Sequence, residues 1–279
     1  SRYAARIPIG TKEIIEGAKQ STLRKFYDDW YRPDLMAVMV VGDLDPQSIP
    51  PLIEKYFTDM KNPSPERPRE TYTVPAHVPL VAIVQDPEVA APGAKISWDI
   101  PDVESQTVKA FREDLVSNLV VSMLNERLAD MSQGGAAFVN AGVGYDSGIR
   151  NMGSWGLGIT LREENLMGGI REGLAEIARV RLHGFTQEEL DRARSSSLAF
   201  YDSYYRDRNT EEAADAVEEL IRVFLTGEVM PGTELEVQVA RKLLPQVTLE
   251  EVNSAGKQHF SEGSQLLELI LPQKDTPPD

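Results

Sequence analysis

The side chains best suited to chemistry in this sequence are its three histidines, and their spacing argues against a metal site. His77, His183 and His259 lie far apart in the sequence, so no two of them can meet at the one-turn spacing of a helical metal-binding pair. A catalytic zinc site needs several ligands held together. We therefore expect structural roles for all three histidines.

Two aspartates and a run of serines are the next groups with chemical potential. Asp43 and Asp45 offer two carboxylates to a hard cation, but a strand end followed by a helix N-cap accounts for both without a metal. Ser195, Ser196 and Ser197 lie within a helical pattern that has no Gly-x-Ser-x-Gly turn. Neither set predicts a bound metal or a nucleophile.

A group of glycines lies inside predicted strands, namely Gly142, Gly144, Gly153, Gly156 and Gly158. A phosphate-binding loop would need them between a strand and a helix instead. Their positions indicate close strand packing or an uncovered sheet face. Such a face can lie against a peptide.

Aromatic and cationic side chains are densest in one predicted helix, at Tyr201, Tyr204, Tyr205, Arg206 and Arg208. They can hold a peptide through stacking and carboxylate contacts. At helical spacing the three tyrosines also form an ordinary packing stripe, which is the interpretation we favour. We keep Tyr201, Tyr204, Tyr205 and Arg206 as candidate substrate contacts.

Composition and charge exclude several classes of protein. The 279 residues, of which 41% are apolar, suffice for two domains with buried cores. A formal charge of -15 would repel phosphate backbones, and no apolar run approaches the roughly 20 residues that cross a bilayer. We expect no nucleic acid partner and no membrane span. The absence of cysteine excludes disulfides and fits a periplasmic or a cytoplasmic protein equally, so the localisation stays unknown.

Residues 1–60 predict a helix, a strand and a second helix. The first helix begins at the N-cap Thr11 and runs to Arg32, residues 36–41 form a continuous apolar strand, and Asp45 or Ser48 caps the second helix. One strand cannot make a sheet, so this segment is the end of an incomplete domain. We expect its exposed apolar faces to promote self-association.

A Pro-rich linker at 61–73 separates this segment from a second domain at 74–272, and residues 273–279 form a polar tail. Strands are predicted at 78–84, 94–100, 138–146, 155–161 and 266–271, with a long helix at 105–130. Capping boxes at Thr186, Thr233 and Thr248 predict three of the later helices. The order predicts an α+β domain with an antiparallel-rich sheet and helices mainly on one face.

Several of these segments resemble the pitrilysin/insulinase-type zinc metallopeptidases, the family that includes the mitochondrial processing peptidases. The first domain carries RIPIG at 6–10, FYDDWYRPD at 26–34 and VMVVGDLD at 38–45. The second carries Arg127-Leu128, Phe138 opening a strand, HGFTQEEL at 183–190 and a helix ending at Thr226-Gly227. The family's His-x-x-Glu-His motif is absent, so the sequence resembles a fragment downstream of the zinc site.

The resemblance implies an architecture and a division of labour. Half-domains of the family pair into shells around a chamber where unfolded peptides are cut, and all zinc ligands precede the matched segment. The second half-domain often supplies an Arg and a Tyr, seven residues apart, that hold the substrate. Aligning the Tyr with Phe138 places Met131 where the Arg would be, so both polar groups are replaced.

We therefore expect the chamber-forming, peptide-positioning and non-catalytic region of a zinc endopeptidase, inactive alone, with zinc in the parent and no cofactor here. Its expected partners are the missing zinc half-domain, peptide substrates bound near Phe138 and the tyrosine cluster, and a second copy of the chain. The alternative is an inactive homologue or partner subunit that binds peptides or braces an active peptidase. A self-sufficient hydrolase has no supporting motif.

Overall fold

The computed structural model describes residues 3, 8–101, 107–149, 152–261 and 263–273. The described helices are α1 (Lys12–Gly17), α2 (Gln20–Trp30), α3 (Ile49–Phe57), α4 (Val108–Gln133), α5 (Leu166–His183), α6 (Gln187–Asp207), α7 (Ala213–Thr226), α8 (Thr233–Leu243) and α9 (Leu249–His259). The described strands are β1 (Leu80–Asp86), β2 (Gly93–Pro101), β3 (Phe138–Ile149), β4 (Met152–Leu161) and β5 (Gln265–Pro272). None of these helices is long and apolar enough to span a bilayer. Ser105, predicted to start the long helix, and residues 274–279 of the predicted tail lie outside the described residues.

The chain divides by its internal contacts into two compact units. The first comprises Ser1–Val74 and Asn209–Met230, and the second comprises Pro75–Arg208 and Pro231–Asp279. No helix or strand occurs in residues 61–79, which include the predicted linker. The division groups Asn209–Met230, which include α7, with the first unit, whereas the sequence predicts these residues to lie in the second half-domain.

The first unit has little core of its own. None of the residues in α1, α2 or α3 is buried, and Leu23, Phe26 and Tyr56 are more than half exposed. The apolar faces predicted to lack partners are therefore exposed in this structure.

The predicted first helix is in fact two helices. Thr11 caps α1 as predicted, because its side chain accepts a hydrogen bond from the Ile14 N–H at 3.4 Å. Ala18 and Lys19 are extended, however, so the chain leaves helical geometry between α1 and α2. Gly17, which ends α1, is a weak helix former and favours the break.

Residues 36–41 do not form the predicted strand. They belong to no helix or strand, and Val38 and Val40 are exposed. A strand exists only through hydrogen bonds to a neighbour, and the described part of the first unit offers none. An apolar pattern is therefore not sufficient for a strand, because no described strand lies beside these residues.

The second unit is built on a five-stranded sheet in the order β1-β5-β2-β4-β3. Only β1 and β5 are parallel, whereas β5-β2, β2-β4 and β4-β3 are antiparallel. All five predicted strands are present within a few residues of their predicted limits. The α+β fold class is therefore confirmed.

Helices pack on one face of this sheet and enclose the core. α4 and α5 lie against β3 and β4, α9 packs against both of these helices, and α6 and α8 pack against each other and against α4. The core lies between the two layers and includes Leu119, Met123 and Leu124 from α4 with Leu157 from β4. The predicted apolar face of the long helix is the face that is buried.

Local capping fixes where the helices start. Thr186 and Thr248 form capping boxes with Glu189 and Glu251 as predicted, and each box satisfies two backbone N–H groups. The box predicted at Thr233 is wrong, because Gly232 occupies the N-cap with a φ of 79° and Thr233 is the first helical residue.

A buried ionic network joins three helices of the second unit. Arg127 on α4 donates to Glu176 on α5 at 3.0 Å, to Glu189 on α6 at 2.9 Å and to the Gly184 carbonyl at 3.1 Å. Glu176 is only 1% exposed. The pKa of Glu189 is lowered to about 2, mainly because its carboxylate accepts hydrogen bonds from Arg127. The network therefore holds charges in a region that would otherwise disfavour them.

Candidate functional site

The face of the sheet opposite the helices is the most distinctive surface of the second unit. Along β4 the odd-numbered residues from Gly153 to Leu161 are buried, whereas the even-numbered residues are more exposed. This alternation follows from the period of two in a strand. It places Gly156 and Gly158 on the helix-free face.

Four glycines meet on that face and form a surface that we call the glycine platform. Gly142 is paired with Gly158, and Gly144 is paired with Gly156, across the antiparallel strands β3 and β4. Side chains normally cover such paired positions. Here the backbone of two adjacent strands is open to a ligand.

The fold itself does not require glycine at two of these positions. A Cβ atom at Gly144 would meet no heavy atom within 4 Å, and at Gly158 the nearest would be the Gly142 carbonyl oxygen at 4.0 Å. Neither residue has a positive φ. Since glycine weakens a strand relative to residues with side chains, its presence here has no local structural benefit.

A charged pair borders the platform. Lys95 on β2 extends across Gly156, whose Cβ would lie 3.5 Å from Lys95 Cε, and its Nζ lies 3.3 Å from Asp146 Oδ2 on β3. Both side chains are about half exposed, so their mutual attraction contributes little to stability. Lys95 and Asp146 can therefore exchange this contact for a charged or polar group of a ligand.

The platform can contact a ligand through its backbone surface and the polar side chains around it. The backbone groups of β2 and β4 are already used within the sheet, since both strands have a neighbour on each side. A ligand on this face would gain dispersion contacts with the flat backbone and polar contacts with Lys95, Asp146 and Ser154.

His77 forms hydrogen bonds that stabilise the start of the second unit. Its Nδ1 lies 2.7 Å from the Val78 carbonyl oxygen, its Nε2 lies 3.1 Å from Asp99 Oδ2, and its backbone N–H donates to Ser264 Oγ at 2.9 Å. Two acceptors facing the ring favour the imidazolium form, so the hydrogen bond to Val78, followed by that to Asp99, raises the pKa of His77. This is the structural role expected from the sequence.

His259 is partly buried beneath the sheet. Its ring stacks on Trp155 with centroids 4.0 Å apart, and its Nε2 lies 3.0 Å from Ser117 Oγ. Burial lowers the pKa of His259 to about 4. The neutral ring therefore packs against Trp155.

This burial predicts a loss of stability in acid. Below about pH 6.5 the unfolded chain binds a proton at His259 whereas the folded chain does not, so the free energy of unfolding falls as the pH drops from 6.5 to about 4. The full loss is about 3 kcal/mol. Urea unfolding at pH 7 and pH 4.5 measures it, and the variant His259→Gln should show a smaller difference between the two pH values. An unchanged difference would assign the acid sensitivity to other groups.

Two of the remaining chemical candidates, Asp45 and Ser195, serve local structure. Asp45 accepts a hydrogen bond from the Gln47 N–H at 3.0 Å, and Ser195 donates to the Asp191 carbonyl oxygen within α6 at 2.8 Å. In the described part of the chain, no three His, Cys, Asp or Glu side chains are grouped so that they could hold a metal.

The structure separates the predicted substrate residues into two places. Phe138 starts β3 and is fully buried, where its Cβ lies against Gly169 of α5. The other four lie on α6, where Arg206 is exposed, Tyr204 and Tyr205 are half buried and Tyr201 is 8% exposed. Met131, at the position of the family's Arg, packs against the core.

The tyrosines of α6 mainly join it to α8. The ring of Tyr205 lies 3.9 Å from the Arg208 guanidinium and 5.4 Å from that of Arg241, and its hydroxyl bonds to Glu234 at 3.2 Å. Burial raises the pKa of Tyr201 to about 12. The packing stripe favoured from the sequence accounts for these contacts.

Comparison with known proteins identifies the family of this chain. The model of the family described as "Peptidase M16 inactive domain" matches residues 19–197. The chain is 28% identical over 256 residues to an Arabidopsis thaliana protein named "Zinc protease PQQL-like", covering 91% of this chain and 24% of that protein. It is 24% identical over 254 residues to "Probable zinc protease PqqL" of Escherichia coli, covering 90% and 27%.

A solved structure confirms the fold. The first half of the periplasmic protease PqqL from Escherichia coli superimposes with a TM-score of 0.87 at 22% identity, covering 97% of this chain and 58% of that one. The chain thus spans about a quarter of the length of these two curated relatives. The resemblance to pitrilysin/insulinase-type zinc peptidases is confirmed. This chain belongs to the peptidase M16 inactive-domain family.

Proposed function

We propose that this chain forms part of the wall of a proteolytic chamber and positions peptide substrates for a zinc-dependent endopeptidase of which it is the non-catalytic region. Its family and its zinc-protease relatives support a non-catalytic region of a protease. The positioning role is our inference from the helix-free sheet face.

The main support for this role is the glycine platform. Gly144 and Gly158 have open space, ordinary backbone geometry and no structural need to be glycine. A strip of four glycines, crossed by the Lys95 side chain and bordered by Asp146, accommodates an extended peptide whose own side chains need the room. Of the residues predicted to contact substrate, Arg206 is exposed on α6 in the helical layer, whereas Phe138 and Tyr201 are buried in the core.

The partner of the first unit is the rest of the zinc-type half-domain in the parent chain. Residues 36–41 lack a strand partner, and an apolar groove lies beside them. The groove is lined by Val38, Val40, Val41, Gly42, Leu44, Pro46, Ile49, Pro50 and Ile53. Strands of the parent that present apolar side chains would both pair with residues 36–41 and fill this groove.

We propose that this chain does not bind the zinc of the parent protein. The described residues contain no suitable group of ligands, and the isolated histidines each have a structural contact or a helix-end position. The residues present do not fit a zinc site. The metal and its chemistry belong to the parent protein.

The alternative is an inactive homologue or partner subunit. Phe138 and Met131 favour it, since they replace the polar substrate clamp implied by the family with two apolar residues. In that case the platform would bind peptides without cleavage.

Zinc content and hydrolysis of unstructured peptides distinguish the two. We expect the parent protein to bind one zinc ion and cleave, and this chain alone to do neither. A parent that neither binds zinc nor cleaves would replace the proposal by the alternative. Peptide hydrolysis by the isolated chain after chelation of metals would contradict both.

A further inference from the structure

The two edges of the sheet in the second unit differ sharply. At the β3 edge, the Asn125 side chain from α4 donates to the Val143 carbonyl at 3.1 Å and accepts from the Val143 N–H at 2.7 Å. Register shifts also interrupt β3 near both of its ends. Blocked backbone groups and irregular pairing are devices that prevent a sheet from adding another strand.

The β1 edge has none of these devices. Residues Leu80 to Val84 are all aliphatic, contain no Pro or Lys, and pair with β5 without a register shift. Val81 is 65% exposed and Ile83 is 61% exposed, and among the described residues no strand pairs with the far side of β1. A flat, apolar, unprotected edge strand is a template for pairing with another strand.

The free backbone groups can be assigned. The Asp86 carbonyl oxygen accepts from the Gln273 N–H at 3.1 Å, so even-numbered residues of β1 direct their backbone groups toward β5. Because alternate residues of a strand point their backbone groups in opposite directions, Val81 and Ile83 direct theirs to the open edge. Each offers one N–H and one carbonyl.

We propose that a second copy of this chain pairs with β1 in an antiparallel manner, about a two-fold axis at Ala82. That register places Leu80 opposite Val84 and Val81 opposite Ile83. Every cross-strand pair is then aliphatic on both sides, and Val81 and Ile83 exchange backbone hydrogen bonds.

The segment is thus complementary to itself, as an isologous dimer requires. Pro79, which lacks an N–H, ends the pairing on one side. The two five-stranded sheets become one continuous sheet.

The net charge of the chain makes this dimer depend on the salt concentration. Two chains of formal charge -15 repel one another, and added salt screens that repulsion. A single short strand pair buries little area, so association is concentration-dependent. We expect dimerisation to strengthen as the salt concentration rises, unlike a contact made by ion pairs.

Sedimentation and hydrogen exchange on this chain test the proposal. At high protein and salt concentration the mass should approach twice 31.0 kDa, and the Val81 and Ile83 amides should become protected only in the dimer. Ile83→Lys should give a monomer, because a lysine on an edge strand blocks pairing. Its high exposure predicts retention of the fold, which circular dichroism checks.

Two further variants separate this contact from other routes of association. Leu182→Lys, at a 76% exposed position on α5, should leave the dimer intact. Phe26→Lys reports on association through the apolar surface of the first unit. A monomer at all concentrations, persistence of the dimer in Ile83→Lys, or dissociation only in Phe26→Lys would each overturn the proposal. So would protection of the Val81 and Ile83 amides in a monomeric parent protein, since a strand of the parent would then occupy the edge.

Discussion

Replacing Arg127 with alanine is expected to lower the free energy of unfolding of the second unit by about 3–5 kcal/mol. Among the described residues, the change leaves the almost fully buried Glu176 with Arg179 as its one ionic partner, at 2.9 Å. It also removes the bidentate contact with Glu189 and the hydrogen bond to the Gly184 carbonyl. Loss of one partner from a buried network costs more than the network contributes, because the remaining charge stays desolvated.

Urea denaturation at pH 7 measures this loss, and Arg192→Ala is the matched control. Arg192 lies on α6 and pairs with Glu126 at 3.2 Å, but both side chains are about half exposed. The control should lose less than about 1 kcal/mol. Equal losses in the two variants would show that the buried network has no special contribution to stability.

Replacing Gly144 with valine should separate folding from function. The added side chain meets no heavy atom within 4 Å of its Cβ, and a β-branched residue favours the strand, so stability should stay unchanged or rise by up to about 1 kcal/mol. If the platform positions a peptide, the same side chain occupies the peptide's space. In the parent protein we expect peptide cleavage to fall by at least about tenfold, since small displacements of a substrate have large effects on rate.

Peptide titration and cleavage assays of the parent check this result, with two controls. Gly263→Val adds the same side chain in open space outside the platform and should leave cleavage unchanged. Gly173→Ala places a Cβ 2.7 Å from Ile159 Cδ1 in the contact of α5 with the sheet, so it should reduce stability by about 1–3 kcal/mol. Normal binding and cleavage by a folded Gly144→Val variant would remove the platform from the mechanism.

Local signals explain which parts of the fold were predicted correctly. The capping boxes at Thr186 and Thr248 act within one helical turn, and the alternation along β4 follows from strand geometry, so both are present in the sequence itself. The Thr233 box failed because a positive φ at Gly232 moved the helix start by one residue. A conformation imposed by the connecting chain is not encoded in the capping pattern.

The sequence by itself determined the family, the α+β order of the second unit and the absence of the zinc motif. It also placed glycines inside β3 and β4, but the pattern could not say whether they served close packing or an open face. Likewise, residues 36–41 have the composition of a buried strand and yet are unpaired, because pairing depends on a neighbour and not on the strand's own residues.

Only the tertiary structure decided which groups meet. Lys95 and Asp146 are 51 residues apart, and Asn125 closes the β3 edge from a helix, so neither contact follows from local periodicity. Sequence patterns encode which face of an element is apolar, since that depends on residues within a turn or a strand. The relative placement of elements is fixed by packing across the whole core, which brings distant residues together and leaves one sheet face and the β1 edge uncovered.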